Sequence, residues 1–262
     1  MITFNNLVKK LWNKWWNILF KSDIYDILDP EKKAEYQNKL NKIIYRLKSE
    51  WHIISLKSWV YVVPHWEDVS LNSVDLLEKY FYKLVKKYIV SEVWSEYYIG
   101  WNKALWFHMK DYSLPESLSI INSKIQKKIK IWNFTLHYKM LHGRKNWKKV
   151  KLLPQFYPYI EEKEIFEIKF KIASLELSLI ESCIIHDICD GLDTSLITKA
   201  IKKYAWVLEY STLENIWTLK YNMAFNRLKE LSRHTSPDLY TLCLKVIKQN
   251  GWCFVWEWLR NI

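Results

Sequence analysis

Side chains that can read DNA recur at helical spacing along residues 30–50 of this chain. Five of them share the side opposite the apolar residues: Asn38, Asn41, Lys42, Tyr45 and Arg46. Asn and Arg pair bidentately with adenine and guanine edges, whereas Lys favours phosphate oxygens. Lys57 and Ser58 stand at the tip of a hairpin-like stretch, where they would reach the DNA backbone. We expect all seven to contact DNA, the alternatives being a solvated helix face and a polar turn.

A second set of candidate side chains is basic and occupies residues 124–151, a stretch without one acidic residue. The net charge is +3 over residues 1–68, +9 over 69–171 and zero over 172–262. Such a field attracts phosphates or an acidic protein face. A second nucleic-acid contact, an antitoxin surface, an acidic partner and a solvated loop all remain open. The candidate residues are Lys124, Lys127, Lys128, Lys130, Arg144, Lys145, Lys148, Lys149 and Lys151.

Signatures of catalysis and of metal binding are missing from the sequence. There is no P-loop, GxGxxG, GxSxG or HExxH motif. The run from His186 to Asp190 is the one place where metal-ligand types crowd together, but no second cluster accompanies it, so a helix end is favoured. The four cysteines form no CxxC pair, which favours reduced thiols over disulfides or zinc. We expect a protein without catalytic residues, metal or cofactor.

The helix that presents the first set is predicted by its apolar stripe, Tyr36, Leu40, Ile43, Ile44 and Leu47. Before it, the pattern predicts a helix over 4–12, a short strand at 18–20 and a short helix ending at Asp29. After it come two strands, 52–56 and 60–63. The order helix, strand, helix, helix, hairpin is that of a winged helix-turn-helix.

The predicted boundary between two domains falls at Pro64–Asp68, giving a DNA-binding domain over 1–68 and a larger domain over 69–262. The larger domain should open with a helix over 73–90 and a strand at 97–99 that leads into a helix at 101–110. Four strands are expected at 118–122, 131–138, 150–153 and 165–172. The last third is helical by period, over 175–188, 196–208, 213–231 and 238–249. The predicted fold class is α+β, a winged helix followed by a mixed sheet and helix domain that ends in a helical bundle.

No apolar run approaches the roughly 18 to 20 residues that a membrane span needs, and the first residues lack the apolar region of a signal peptide. We therefore expect a cytoplasmic protein.

Glycine and tryptophan usage is unusual. The chain has 4 glycines and 16 tryptophans, where average usage of about 7% would give roughly 18 glycines. Several tryptophans occupy positions where the backbone freedom of glycine is usually needed: Trp59 in a hairpin turn, Trp51 after a helix, Trp66 in a loop and Trp101 after Gly100. One hypothesis is a translation in which UGA, read as glycine in some bacteria, was rendered as tryptophan. The alternative is a tryptophan-rich protein from an AT-rich genome.

Three stretches resemble the AbiEi-type antitoxin family. LNKIIYRLKSEWHIISLKSWVYVVP (40–64) is similar to its recognition helix and wing, and YYIGWNKALWFHMKDYSLPESLSIIN (97–122) to its tyrosine–glycine–alanine–leucine–histidine–proline segment. KIASLELSLIES (171–182) is similar to a helix start of the family. Trp51, Trp59 and Trp101 depart from the family pattern, and each would match it as glycine.

The resemblance implies the antitoxin of a type IV toxin–antitoxin system, with a winged helix that represses its own promoter by binding DNA at inverted repeats. It implies a genetically linked toxin of nucleotidyltransferase type, countered without a stable complex, and supplies no catalytic residue. A winged-helix regulator with a ligand-sensing C-terminal domain is the first alternative. A nucleic-acid-processing enzyme with an unfamiliar active site is the second.

Overall fold

The structure is a computed structural model. It describes residues 4–13, 18–28, 33–145, 148–184 and 192–249, except for the side chains of 33–38, 142–145 and 148–150. The chain divides into two compact units, Met1–Tyr88 (unit 1) and Ile89–Ile262 (unit 2). The structure combines helices with β-sheets, one of which has both parallel and antiparallel strand pairs. The fold class is therefore α+β, as the sequence predicts.

Unit 1 combines helices with one small antiparallel sheet. Its elements are α1 (Phe4–Trp12), β1 (Ile18–Phe20), α2 (Lys21–Ile27), α3 (Lys33–Ser49), β2 (Ile54–Lys57), β3 (Val60–Val62), a 3-10 turn (Trp66–Ser70) and the first part of α4 (Ser73–Val93). The strand order is β1-β3-β2, with Val62 opposite both Ile18 and Ile54. Residues of α1, α2 and α3 share one core, which includes Leu11, Ile24 and Leu47.

The division between the units lies inside α4, whereas the sequence predicted a boundary at residue 68. Asp68 explains the difference, because it is buried and ties the 3-10 turn to α4. Its carboxylate accepts hydrogen bonds from Lys79 Nζ (2.7 Å), Tyr80 Oη (2.5 Å) and the His65 amide (2.7 Å). Further along α4, Lys87 forms an ion pair with Asp23 of α2 at 2.8 Å. The first part of α4 is therefore bonded into unit 1.

Unit 2 is built on a six-stranded mixed sheet. Its strands and helices follow in chain order: β4 (Tyr97–Ile99), α5 (Trp101–His108), β5 (Ser117–Asn122), β6 (Lys127–Ile131), β7 (Phe134–Met140), β8 (His142–Lys145), β9 (Lys148–Lys151), a 3-10 segment (Leu153–Tyr159), β10 (Ile160–Ile165), β11 (Ile168–Ala173), α6 (Leu175–Ser182), α7 (Thr194–Tyr204), a 3-10 turn (Ala205–Val207), α8 (Tyr210–Trp217), α9 (Asn222–Ser232) and α10 (Pro237–Gln249). The sheet order is β10-β11-β4-β5-β7-β6, while β8 and β9 form a separate pair.

Three predicted elements of unit 2 are divided in the structure. The expected strand over 131–138 is instead a hairpin, in which Ile131 of β6 pairs with Phe134 of β7 across a two-residue loop. The expected helix over 213–231 breaks into α8 and α9, where Lys220 adopts a positive φ of 67° and donates its amide to Trp217 O. The expected strand over 165–172 likewise spans a hairpin, in which Ile165 of β10 pairs with Ile168 of β11. In all three cases the apolar pattern continues through a turn that glycine or proline does not mark.

The helices of unit 2 form one continuous core with one side of the sheet. The core joins Tyr98, Ile121 and Ala173 of the strands to buried residues of α5 through α10, such as Ile197 and Phe225. The predicted helical character of the last third is confirmed for residues 192–249. No helix in the described part of the chain is long and apolar enough to cross a membrane.

Candidate nucleic-acid interface

Helix α3 buries three residues of the predicted apolar stripe and exposes the described part of the predicted polar face. Ile43 is half-buried, and the side chain of Tyr36 lies outside the described residues. Leu40, Ile44 and Leu47 are buried, because they recur at spacings of four and three and so face the core of unit 1. The exposed side chains of the described part of this face are Asn41, Lys42, Tyr45 and Arg46. Tyr45 is 75% exposed. The side chain of Asn38 lies outside the described residues.

The hairpin of β2 and β3 stands beside this helix and is fixed by the sheet. All three residues of β3 are buried, and β3 lies between β1 and β2, so β3 anchors the hairpin to β1. A register irregularity between Ser55 and Lys57 precedes the turn, and Ser55 Oγ donates to Lys57 O at 3.2 Å. Lys57 is half-buried, whereas Ser58 is exposed.

Lys21, which the sequence analysis did not select, links α3 to the hairpin tip. Its Nζ donates to Asn41 Oδ1 at 2.9 Å and lies 4.4 Å from the centroid of the Trp59 ring. Its amide donates to Trp59 O at 3.0 Å. The Asn41 oxygen has two lone pairs, so the bond from Lys21 leaves one for a base edge and orients the amide. No spacing rule relates residue 21 to residues 41 and 59, so this contact could not be predicted from the sequence.

Arg46 is held by partners within the protein. Its Nε donates to Glu50 Oε1 at 2.7 Å, and its guanidinium lies 3.9 Å from the centroid of the Phe4 ring. The hydrogen bond from Arg46 holds the pKa of Glu50 below its usual value. A contact between Arg46 and DNA would exchange this ion pair for a phosphate or a base edge. Asn41, Lys42 and Tyr45 can contact DNA without breaking an ion pair of this kind.

The basic stretch of unit 2 is less uniformly basic in space than in sequence. Lys127 forms an ion pair with Glu92 at 2.5 Å, and Lys151 lies 3.6 Å from Glu96. The hydrogen bond from Ser123, with the charges of Lys151 and Lys124, lowers the pKa of Glu96. Two carboxylates from the end of α4 and just beyond it therefore offset part of the positive charge.

Lys128 and Lys130 lie two apart on β6 and so share one side of the sheet. Both are exposed, opposite His137 and Thr135 of β7. Lys124 is also exposed, and its Nζ lies 3.5 Å from Val93 O. The side chains of Arg144, Lys145, Lys148 and Lys149 are outside the described residues.

A buried carboxylate organises the centre of unit 2. Glu181 of α6 accepts hydrogen bonds from Tyr98 Oη (2.7 Å), Tyr221 Oη (3.1 Å) and the Trp101 amide (3.1 Å). Burial raises the pKa of Glu181, although these donors oppose the shift, and burial raises the pKa of both tyrosines well above the usual value. Perturbed carboxylates often mark active sites, but this one is only 2% exposed and its role is to join β4, α5, α6 and α9.

One cleft of unit 2, of about 400 Å³, opens beside α5 and the N-terminus of α7. Its lining includes Asn102, Lys103, Trp106, Glu116 and Asp193. The largely buried Lys103 donates from Nζ to Ser113 O at 2.7 Å. The cleft has a mixed polar and apolar lining and offers charges of both signs to a small molecule.

The described residues hold no group of three or more His, Cys, Asp or Glu that could bind a metal, and the run from His186 to Asp190 lies outside them. Cys183 and Cys243 are free and buried. Burial raises the pKa of the Cys243 thiol to about 12 and that of Cys183 further, so both thiols are protonated and unreactive. Cys189 and Cys253 are outside the described residues.

No protein-family model matches this chain, and no curated protein matches it.

Proposed function

We propose that the protein is a DNA-binding autorepressor and the antitoxin of a type IV toxin–antitoxin system. The observation that carries the DNA-binding part is the exposed polar face of α3 beside the anchored hairpin of β2 and β3. In this proposal unit 1 is a winged helix, α3 enters the major groove, and the hairpin contacts the backbone as the wing.

Within the DNA interface, the residues have distinct tasks. Asn41, oriented by Lys21, reads a base edge, while Lys42 and Lys57 neutralise phosphates. Tyr45 and Ser58 donate hydrogen bonds, and Arg46 joins them when it leaves Glu50. Winged-helix proteins commonly bind paired half-sites, so the operator is an inverted repeat in the promoter of the protein's own gene.

The antitoxin part rests on the family resemblance and on one structural point. Two of the stretches that carry the resemblance, 97–122 and 171–182, meet at Glu181, which bonds to Tyr98 and to the Trp101 amide. These hydrogen bonds join the two similar segments in the core of unit 2. The toxin would be a genetically linked nucleotidyltransferase-like protein, countered in the cytoplasm without a stable complex.

DNA binding is tested by titrating the full chain on its own upstream DNA and on random DNA at two salt concentrations. We expect selective, salt-sensitive binding. Asn41→Ala should lower operator affinity roughly tenfold or more, because a bidentate base contact is worth about 1–3 kcal/mol. Lys42→Ala should weaken binding to both DNAs. Lys202→Ala removes an equally exposed charge from α7 of unit 2 and should change neither. Equal affinity for the upstream DNA and the random DNA would contradict the proposed role as an autorepressor.

The antitoxin role is tested separately by co-expressing the chain with the neighbouring nucleotidyltransferase gene and measuring growth. We expect the protein to restore growth, and the combined Asn41→Ala and Lys42→Ala variant to restore it equally, because those residues serve only DNA binding. Growth arrest with both proteins present at normal levels would contradict the antitoxin role but would leave the proposed DNA-binding role unaffected.

A regulator whose second unit senses a small molecule is the alternative that one observation favours. The cleft beside α5 presents the Lys103 ammonium together with Glu116 and Asp193. Selective operator binding without growth rescue would favour this alternative over the antitoxin.

A further inference from the structure

Tryptophan occupies an unexpected share of the left-handed backbone positions. In the described part of the chain nine non-glycine residues have a positive φ, and five of them are tryptophans. They are Trp51 (59°), Trp59 (69°), Trp94 (58°), Trp101 (54°) and Trp132 (52°). A bulky side chain is a true outlier there, whereas glycine enters this region freely. Tryptophan is only 16 of the 262 residues, so a random draw of nine positions would include fewer than one.

Two of the five positions end helices in the way that glycine ends them. After α3, the His52 amide donates to Leu47 O and the Trp51 amide to Lys48 O. This is the Schellman pair of hydrogen bonds, in which the residue at position 51 is left-handed and usually glycine. After α4, the Trp94 amide donates to Val90 O, which is the related single-bond motif with the same preference.

Two further positions lie in tight hairpin turns. Trp132 is the first residue of the two-residue loop between Ile131 and Phe134, and Trp59 is the second residue of the loop between Lys57 and Val60. A positive φ at either place of such a loop is the reason why glycine dominates there.

The fifth position adjoins the buried carboxylate. A Cβ on Gly100 would stand 2.5 Å from Glu181 Oε2, and the same oxygen accepts the Trp101 amide at 3.1 Å. The backbone of residues 100 and 101 therefore passes close to the carboxylate, as paired glycines allow.

Exposure separates three of the five positions from an ordinary tryptophan, whereas Trp101 is 7% exposed and Trp132 is half-buried. Trp51, Trp59 and Trp94 are 60%, 62% and 70% exposed, although tryptophan is usually highly buried. Trp217 differs, because it lies within α8, is 7% exposed and packs edge-on against Phe225 with ring centroids 5.2 Å apart. Trp66, in contrast to the expectation from sequence, lies in a 3-10 turn and is not among the residues of positive φ.

We propose that the natively synthesised protein has glycine at positions 51, 59, 94, 101 and 132. The codons at these positions would be UGA, which the native cell reads as glycine. Trp217 is a true tryptophan, encoded by UGG. The low glycine count of 4 and the high tryptophan count of 16 have the same cause.

The gene and the native protein test this directly. The five codons should be UGA and codon 217 should be UGG, and tandem mass spectrometry of the protein isolated from its own cells should find glycine at the five positions and tryptophan at 217. UGG codons, or peptides with tryptophan at the five positions, would overturn the proposal.

A stability comparison adds a physical readout in recombinant full chain, made with tryptophan at all sixteen positions. Trp51→Gly, Trp94→Gly and Trp132→Gly should each raise the Tm by about 2–4 °C, since each relieves a strained φ. Trp217→Gly is the matched control and should lower the Tm, because it empties a packed site. A lower Tm for the first three variants would contradict the geometric basis of the proposal.

Discussion

At the scale of single residues, the buried carboxyl group of Glu181 links several elements at the centre of unit 2 through hydrogen bonds. Three donors converge on it, and burial raises its pKa above the ordinary value of 4.5. The folded protein therefore retains a proton on Glu181 over a pH range in which the unfolded chain has lost it. The stabilisation from this group is complete below 4.5 and is lost as the pH rises through the folded-state pKa.

We expect Glu181→Gln to flatten this part of the stability profile, because glutamine cannot lose a proton. The free energy of unfolding, measured in urea at a series of pH values from below 4.5 upward, should fall less steeply for Glu181→Gln than for the parent. Glu164→Gln, which removes an exposed carboxyl from β10, should leave the slope unchanged. Parallel profiles for parent and Glu181→Gln would show that Glu181 does not titrate in this way.

Residue-level prediction from sequence succeeded where a side chain's environment follows from its own helix. The period of Leu40, Ile44 and Leu47 placed Asn41, Lys42 and Tyr45 on the exposed face, because a helix repeats every 3.6 residues. The partners of these side chains come from distant segments and could not be predicted. Lys21 reaches Asn41 over twenty residues, and Glu92 and Glu96 offset a stretch that has no acid of its own.

At the scale of elements, Asp68 connects the 3-10 turn to α4 and moves the unit boundary into that helix. Burial by itself raises the pKa of Asp68, but the hydrogen bonds from Lys79, Tyr80 and the His65 amide outweigh it and leave the pKa below 3.8. Stability from this group is present above pH 3.8 and is lost as the pH falls through the folded-state value. The sequence marks Pro64–Asp68 as a loop but gives no sign of these long-range bonds.

Asp68→Ala should destabilise unit 1 by about 2–4 kcal/mol, because it removes the acceptor of three donors and leaves buried groups unpaired. Glu67→Ala is a close control, since Glu67 is exposed and lies 3.8 Å from the same Lys79 amine. An exposed pair of this kind contributes about 1 kcal/mol or less. Denaturant unfolding, followed by circular dichroism, measures both. A loss for Asp68→Ala no larger than that for Glu67→Ala would show that the carboxylate does not tie the turn to α4.

At the scale of the whole molecule, both units are positive, with a net charge of +5 for unit 1 and +7 for unit 2. The stretch of basic residues at 124–151 lies in unit 2, whereas the candidate reading helix lies in unit 1. Lys127 and Lys151 form ion pairs with carboxylates. Lys128 and Lys130 are exposed together along one side of β6, so a phosphate backbone that meets one of them can also meet the other.

If unit 2 adds to DNA binding, Lys128→Ala with Lys130→Ala should reduce the salt dependence of the full chain. Each phosphate contact contributes about 0.9 to the slope of log K against log salt, so the slope should fall by up to about 1.8. Lys127→Ala with Lys151→Ala removes the same formal charge and should change the slope less, because both amines already face carboxylates. Gel-shift titration on random DNA at several salt concentrations gives the slopes. If neither pair alters the slope, these four lysines do not contact DNA, and an acidic protein partner becomes the better explanation of their charge.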